Sequence, residues 1–275
     1  MNRNERTKVA EQTVAICEAG FYTSPAGARV EVADTLARAK AGTKIYSPEN
    51  LVAATAPRTK RPTRIEVKNE TTFQSLARLS ALTTGHLACL NFASAKNPGG
   101  GFLNGAIAQE EALASASGLY PCLLKAPEYY SRNRANRSTL YLDLIIFSPC
   151  VPFFRNDAGT LLDKPVVASV ITAPAPNAGS VAQNEPNNLG KIEPTLRRRA
   201  ELVLAVAAAE KVDQLVLGAW GCGVFRNDPR MVARIFAELL KTKFAGAFEH
   251  VAFAVFDRSE SGSTYRAFAE TDFRT

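Results

Sequence analysis

Two glutamates stand side by side at Glu110 and Glu111, directly after Gln109, and a run of three glycines, Gly99-Gly100-Gly101, ends seven residues before that triad. Adjacent residues of a helix point about 100° apart. The two carboxylates therefore take different jobs: one faces a ligand while the other turns aside or touches a neighbouring group. A carboxyl group within reach of a glycosidic oxygen acts as general acid toward the leaving oxygen and then as general base toward water. Acidic residues at a helix start also complement the helix dipole, so the pair alone does not separate chemistry from capping.

The glycines narrow the choice. An apolar run, Leu87 to Phe92, reads as a buried strand, runs out into Gly99-Gly100-Gly101, and is followed by a helical pattern from Ala106 to Leu119. Glycine admits backbone conformations closed to other residues and lets main chain approach a ligand closely. Amides in such a loop, with a helix start behind them, suit an anion such as phosphate. The spacing is neither a Walker loop nor GxGxxG. A second segment repeats the theme: the strand Gln214 to Gly218 ends in Ala219-Trp220-Gly221-Cys222-Gly223-Val224-Phe225, and Asp228 caps a helix whose first residue is Pro229. The amides from Gly221 to Phe225 are placed to wrap a diphosphate. Trp220 reads as core packing, and no nearby base supports Cys222 as a nucleophile.

The glycine triplet, the spacing and Gln109-Glu110-Glu111 together resemble the signature of the poly(ADP-ribose) glycohydrolases. The surrounding words, Asn91-Phe-Ala-Ser-Ala-Lys-Asn-Pro98 and Phe102-Leu-Asn-Gly-Ala-Ile-Ala108, are similar to the bacterial branch, and the likeness runs from about Lys8 to Phe268. The resemblance implies a macrodomain-like α/β fold: a three-layer α/β/α arrangement with a mixed central sheet and an N-terminal helical extension. It implies hydrolysis of ribose–ribose bonds with Glu111 as the catalytic residue, Glu110 holding the ribose and Gln109 supporting the pair. It further implies ligand contacts from Ser94, Asn97, Gly99, Gly100 and Gly101, main-chain contacts from Gly221, Cys222, Gly223 and Val224, and ribose packing by Phe225. In this scheme burial and a neighbouring carboxylate keep Glu111 protonated against the pull of the helix dipole. No metal or cofactor is required. Ala114-Ser115 departs from the Cys-Arg of the bacterial pattern. Two other readings share the residues: a reader that binds ADP-ribose without chemistry, which has no need of a placed carboxyl pair, and a hydrolase for ADP-ribose linked to protein or to a nucleic-acid base.

These residues need a scaffold. Alternating apolar and polar residues predict strands at Ala28 to Ala33 and Arg64 to Lys68, and further strands are expected at Leu140 to Phe147, Val166 to Thr172 and His250 to Phe256. Helical spacing predicts Asn4 to Ala19 ended by Gly20, a short helix capped by Asp34 and running to Ala41, Thr71 to Leu82, Lys191 to Glu210, Asp228 to Leu240 and Thr264 to Thr271. Strands alternating with helices imply a sheet covered on both faces. The reading is one domain over 1–275, with 1–62 as an extension packed on it.

Composition agrees with an ordinary globular chain of 275 residues, 46% apolar and 21% charged. A net charge of +7 favours an anionic partner. The expected partners are poly(ADP-ribose), ADP-ribose and poly(ADP-ribosyl)ated proteins; nucleic acid fits the charge but is not required. The basic stretches are Pro57 to Arg64 and Arg132 to Arg137. Five scattered cysteines without a CxxC argue against a disulfide framework and for a reducing, cytoplasmic setting. No apolar run reaches the roughly 18 residues of a membrane span, so no membrane is expected. His86 and His250 sit beside strands and read as structural.

Overall fold

The computed structural model describes residues 1–51, 62–82 and 84–274. The chain begins with α1 (Arg3–Ala19), a small hairpin β1 (Phe21–Thr23) and β2 (Arg29–Glu31), α2 (Ala33–Gly42) and β3 (Lys44–Tyr46). Then come β4 (Arg64–Lys68), α3 (Thr72–Leu82), β5 (Leu87–Phe92), a 3-10 turn at Phe102–Asn104, α4 (Gln109–Ala116), α5 (Leu119–Leu123) and α6 (Pro127–Ala135). The rest is β6 (Ile145–Arg155), β7 (Leu161–Ala173), α7 (Ala178–Asn184), α8 (Ile192–Ala209), β8 (Gln214–Gly218), α9 (Pro229–Lys241), β9 (His250–Ala254) and α10 (Ser263–Ala269).

Seven strands form one sheet in the order β3-β6-β7-β5-β8-β9-β4. β7, β5, β8, β9 and β4 run parallel, while β3 and β6 are antiparallel to their neighbours. The sheet is mixed, as expected. Period-two alternation sorts its side chains between two cores. Leu90, Leu215, Leu217, Val251 and Phe253 face the side covered by α8 and α9. Cys89, Val216, Ala252 and Ala254 face the side covered by α2, α3, α5 and α6. Both faces are buried, which explains why the central strands read as continuous apolar runs.

Several boundaries differ from the expectation for physical reasons. The helix expected from Ala106 to Leu119 starts only at Gln109, because Gly105 turns left-handed (φ +69°) and Ala108 is extended; it breaks at Ser117, which is extended again, before α5. The strand expected at Leu140 begins at Ile145: the Leu140 and Tyr141 carbonyls accept from the buried Arg199 guanidinium instead of a ladder partner, and Tyr141 has φ +61°. β6 and β7 form a hairpin far longer than the two short strands read from the sequence, with a bulge between Ser148 and Val151 where Cys150 has φ +51°. Asp34 is not a cap; Val32 precedes the helix, and Asp34 lies in its first turn. Of the basic stretch Pro57 to Arg64, residues 57–61 lie outside the described residues, and Arg64 opens β4.

α1 starts with a capping box between Asn2 and Glu5 and ends on Gly20 at φ +78°, as its sequence requires. Among the described residues no helix is long and apolar enough to cross a membrane. His86 and His250 lie at the N-terminal ends of β5 and β9, the opposite end of the sheet from both glycine loops.

Candidate active site

β5 and β8 are adjacent and parallel, with Cys89 opposite Val216. Both glycine loops therefore leave the same end of the sheet side by side, where open α/β sheets bind ligands.

The first loop folds on itself before it reaches the glutamates. The Ser94 hydroxyl accepts the N–H groups of Lys96 (3.2 Å) and Asn97 (3.1 Å), and the Asn97 carbonyl accepts from Gly100 (3.0 Å). Gly99 (φ +68°) and Gly100 (φ +61°) then reverse the chain. A Cβ on Gly100 would fall inside van der Waals contact of Glu111 Oε1, 3.0 Å from Glu111 Cδ and 3.1 Å from Glu110 Oε2. Both carboxylates thus border one point, and only glycine leaves it open.

Two of the triplet's three amides, those of Gly99 and Gly101, are turned toward these carboxylates. Gly101 N–H donates to Glu111 Oε1 at 2.9 Å, and the Gly99 N–H helps hold Glu110. The anion seen by this nest is the protein's own acidic pair. This differs from the sequence reading, in which the loop's amides wait for a phosphate.

Gln109 staples α4 to the end of β5. Its side chain accepts from Phe92 N–H (2.8 Å) and donates to the Leu90 carbonyl (2.8 Å) and Thr72 Oγ1 (3.1 Å). Glu110 points inward, 3% exposed, and accepts from Ser94 N–H (2.6 Å) and Asn91 Nδ2 (3.3 Å). Burial pushes its carboxyl up to about 8, against the pull of the Ser94 and Gly99 amides and Asn91; the Glu111 charge adds to the rise. Glu111 is half-buried, with its Oε1 on Gly101 N–H. The expected burial therefore falls on Glu110, not on Glu111. The reason is the 100° step between neighbours on a helix docked by one face.

Asn91 also donates to Thr172 Oγ1 (3.2 Å). The buried Tyr129 and Tyr130 of α6 stand close enough for the Glu110 charge to raise both phenols further above the range that burial alone sets. None of these was singled out from the sequence. Asn91 carried a signal: it is a polar residue in an otherwise apolar buried strand, where local pattern and role conflict.

The second loop is built the other way. Trp220 is fully buried and its indole N–H donates to the Ala173 carbonyl (3.0 Å), which also accepts from Ala93 of the first loop (3.2 Å). Gly221 (φ +73°) packs so closely on Ala175 that a Cβ would lie 2.5 Å from the alanine Cβ. Asn227 closes the loop, donating to the carbonyls of Pro176 (2.8 Å) and Gly221 (3.1 Å). Cys222 N–H goes to the Ala219 carbonyl (3.1 Å), so its amide is directed into the turn. Burial raises its thiol far out of the reactive range. Among the described residues, the amides of Gly223, Val224 and Phe225 meet no protein acceptor, and Gly223 and Val224 are exposed. Phe225 is half-buried, its ring 5.9 Å from that of Tyr141. Asp228 caps α9 by accepting from Arg230 N–H (2.9 Å).

The Ala114 half of the departure has a packing account. Ala114 is buried against Ala10 of α1 and Phe102, and a Cβ on Gly99 would lie 3.3 Å from its own, so a small side chain suits the site.

The chain as a whole has solved counterparts. Residues 10–156 match the family described as microbial-type PARG, catalytic domain. The structure of poly(ADP-ribose) glycohydrolase from Thermomonospora curvata is 46% identical, with 98% of this chain and 99% of that chain covered and a TM-score of 0.92. The same enzyme bound to the inhibitor ADP-HPD is 47% identical over 98% and 99%, with a TM-score of 0.91. The Deinococcus radiodurans glycohydrolase in complex with ADP-ribose is 52% identical over 86% of this chain and 95% of that chain, with a TM-score of 0.81. Among curated proteins, none matches. With a family match over more than half its length, and this degree of identity to solved members across nearly all of it, the chain belongs to the microbial-type poly(ADP-ribose) glycohydrolases.

Proposed function

We propose that this glycohydrolase cleaves the ribose–ribose O-glycosidic bond of poly(ADP-ribose) and releases ADP-ribose, with Glu111 as acid and then base. The observation that carries the assignment is that Glu111 is the less buried member of the pair, held by Gly101 N–H beside Gly100. The open amides of Gly223, Val224 and Phe225 take the diphosphate, and the Phe225 ring packs on the ribose whose bond is cut.

Protonated Glu111 delivers its proton to the departing ribose oxygen as the glycosidic bond breaks. The carboxylate so formed stands beside an oxocarbenium-like carbon. It then takes a proton from the attacking water, whose oxygen bonds to that carbon, and the starting state returns. Glu110 is neutral below about pH 8 because it is buried. No second negative charge then stands beside the Glu111 carboxylate.

The polymer is carried on modified proteins, so poly(ADP-ribosyl)ated proteins are the proposed macromolecular partners; nucleic acid is not required. All five cysteines are free, which supports a reducing, cytoplasmic setting.

The test is chromatography of products after incubation with poly(ADP-ribose), with Glu111→Gln alongside and ADP-ribose binding followed by calorimetry. Release of ADP-ribose by the unmodified chain, lost in the variant while ADP-ribose still binds, is the expected result. Undiminished release by the variant would move the acid elsewhere, to Glu110 first.

A further inference from the structure

The proposed chemistry leaves α1 without a task, yet several of its polar contacts converge on one segment. That segment, 102–108, joins the glycine triplet to the glutamates, and α4 follows it. α4 is a weak element by itself. It has eight residues, its N-cap is Ala108, and no side chain caps it. Isolated helices shorter than about 12–15 residues are marginal in water, and an alanine cap leaves the first amides without a side-chain acceptor. The direction of Glu111 must therefore be set from outside α4.

α1 is the stronger partner, with 17 residues and caps at both ends. One face of it carries Arg3, Arg6, Ala10 and Thr13, at the three- and four-residue spacing of neighbours on a helix. Arg3 Nε donates to the Asn104 carbonyl at 2.9 Å, and Arg6 Nε donates to the Gly105 carbonyl at 2.7 Å. Thr13 Oγ1 donates to the Ser115 carbonyl at 2.6 Å, near the far end of α4. Between them Ala10 packs on Phe102 and Ala114. Gly105 lies directly on the α1 backbone: a Cβ there would be 2.5 Å from the Arg3 carbonyl oxygen and 2.9 Å from Thr7 Oγ1. α1 thus grips the segment before α4 and the last turn of α4 itself.

We infer that α1 is a positioning element for catalysis: Arg3, Arg6 and Thr13 fix the 102–108 segment and α4 so that Glu111 stands over Gly100. This rests on Glu111 being the acid. None of the three touches the substrate. They act on the rate through Glu111 and leave the diphosphate loop, at the end of the neighbouring strand β8, unaffected.

The test uses the full chain with Arg3 and Arg6 both changed to Ala, Arg6→Ala, Arg6→Lys and Thr13→Val. The readings are kcat and KM on poly(ADP-ribose), ADP-ribose affinity by calorimetry, and thermal unfolding. A misplacement of about 1 Å at a reacting group costs on the order of 10²-fold in rate, so the double variant should lose about 10- to 100-fold in kcat. Its ADP-ribose affinity should not change. Arg6→Lys should recover most of the rate lost in Arg6→Ala, because an ammonium still donates to the Gly105 carbonyl. Thr13→Val should show a smaller loss of the same kind, and it decides the matter if the double variant does not fold. Full kcat in a folded variant overturns the inference. So does a parallel loss of kcat and ADP-ribose affinity, which marks general unfolding. Glu111→Gln, assayed in the same series, reports separately on the acid: release retained there defeats the assignment of Glu111 whatever the α1 variants do.

Discussion

The two glycine loops look alike in sequence and are used in opposite ways. Each follows a buried strand and precedes a helix. In the first, the triplet's amides are occupied from within: Gly101 by Glu111, Gly99 turned to Glu110, and Gly100 by the Asn97 carbonyl. In the second, the amides of Gly223, Val224 and Phe225 remain open and Asn227 ties the loop shut from behind. The helices differ in the same sense. α9 is capped by its own Asp228, while α4 has no side-chain cap and brings two carboxylates to the glycines instead. A glycine run at a strand end supplies donors; the residues that follow decide whether those donors face a ligand or a side chain. The first loop thus orients an acid, and the second receives an anion.

The sharpest way to break this division is Glu111→Gln. General acid–base catalysis contributes about 10²–10⁴-fold, so kcat should fall by that order while ADP-ribose affinity holds. A loss of affinity of the same size would mean that the first loop also serves as the anion site. Gly100→Ala should come next. Its methyl group would displace the Glu111 carboxylate, and its φ of +61° is unfavourable for a side chain. We expect a kcat loss on the order of 10²-fold, together with a stability cost of about 1–2 kcal/mol from the left-handed backbone, read by chemical denaturation. A variant that keeps its rate would show that the carboxylates need not converge there.

On the second loop, Asn227→Ala removes the side chain that bonds the Pro176 and Gly221 carbonyls. Loss of buried hydrogen bonds of this kind costs about 1–3 kcal/mol. The effect should appear as roughly tenfold weaker ADP-ribose binding, since 1.4 kcal/mol is tenfold, with kcat at saturating polymer little changed. A kcat loss without an affinity loss would erase the distinction between the loops.

Glu110 gives a test by pH. Its folded value, about 8, lies above the ordinary glutamate value of 4.5. A raised value means that the folded protein binds the proton more tightly than the unfolded chain. The contribution to stability is therefore fully present below about pH 4.5 and is lost progressively as pH rises toward 8, at up to about 1.4 kcal/mol per pH unit. Glu110→Gln keeps an acceptor for Ser94 N–H and removes the ionisation. Its unfolding free energy should rise relative to the unmodified protein across that window, and the slope with pH should flatten. Enzyme activity should decline as pH passes upward through about 8, when a second charge forms behind Glu111. A flat alkaline limb would show that the neutral state of Glu110 is not needed.

Much of this was legible in the residues. Alternation marked β4, strand-like apolar composition marked β8 and β9, and Gly20 and Asp228 marked helix ends, because these signals are local. The long β6–β7 hairpin was hidden by Pro149, Pro152 and Pro165, which argue against a strand interior unless a bulge or an edge accommodates them. The acidic pair was visible, but which glutamate is buried was not, because that depends on the face by which α4 docks. Arg199 sits in a run of three arginines, and only the fold shows that it is the one enclosed, holding Pro174, Leu140 and Tyr141 carbonyls. Asn227 is equally silent in sequence: one of its bonds spans 51 residues to Pro176.

The smallest effect should come from Gly223→Ala. A Cβ there meets nothing within 4 Å, and its φ lies outside the left-handed region. It is exposed, and its amide has no protein acceptor among the described residues. Stability should stay within about 0.5 kcal/mol of the unmodified protein, as for an ordinary surface change. Only a ligand lying on the loop would notice the methyl group. The expected result is an unchanged melting temperature with a modest rise in KM and no change in kcat, set against the collapse of kcat in Gly100→Ala. Equal effects from the two alanines would remove the contrast between the loops. An unchanged KM would place the diphosphate away from Gly223, toward Val224 and Phe225.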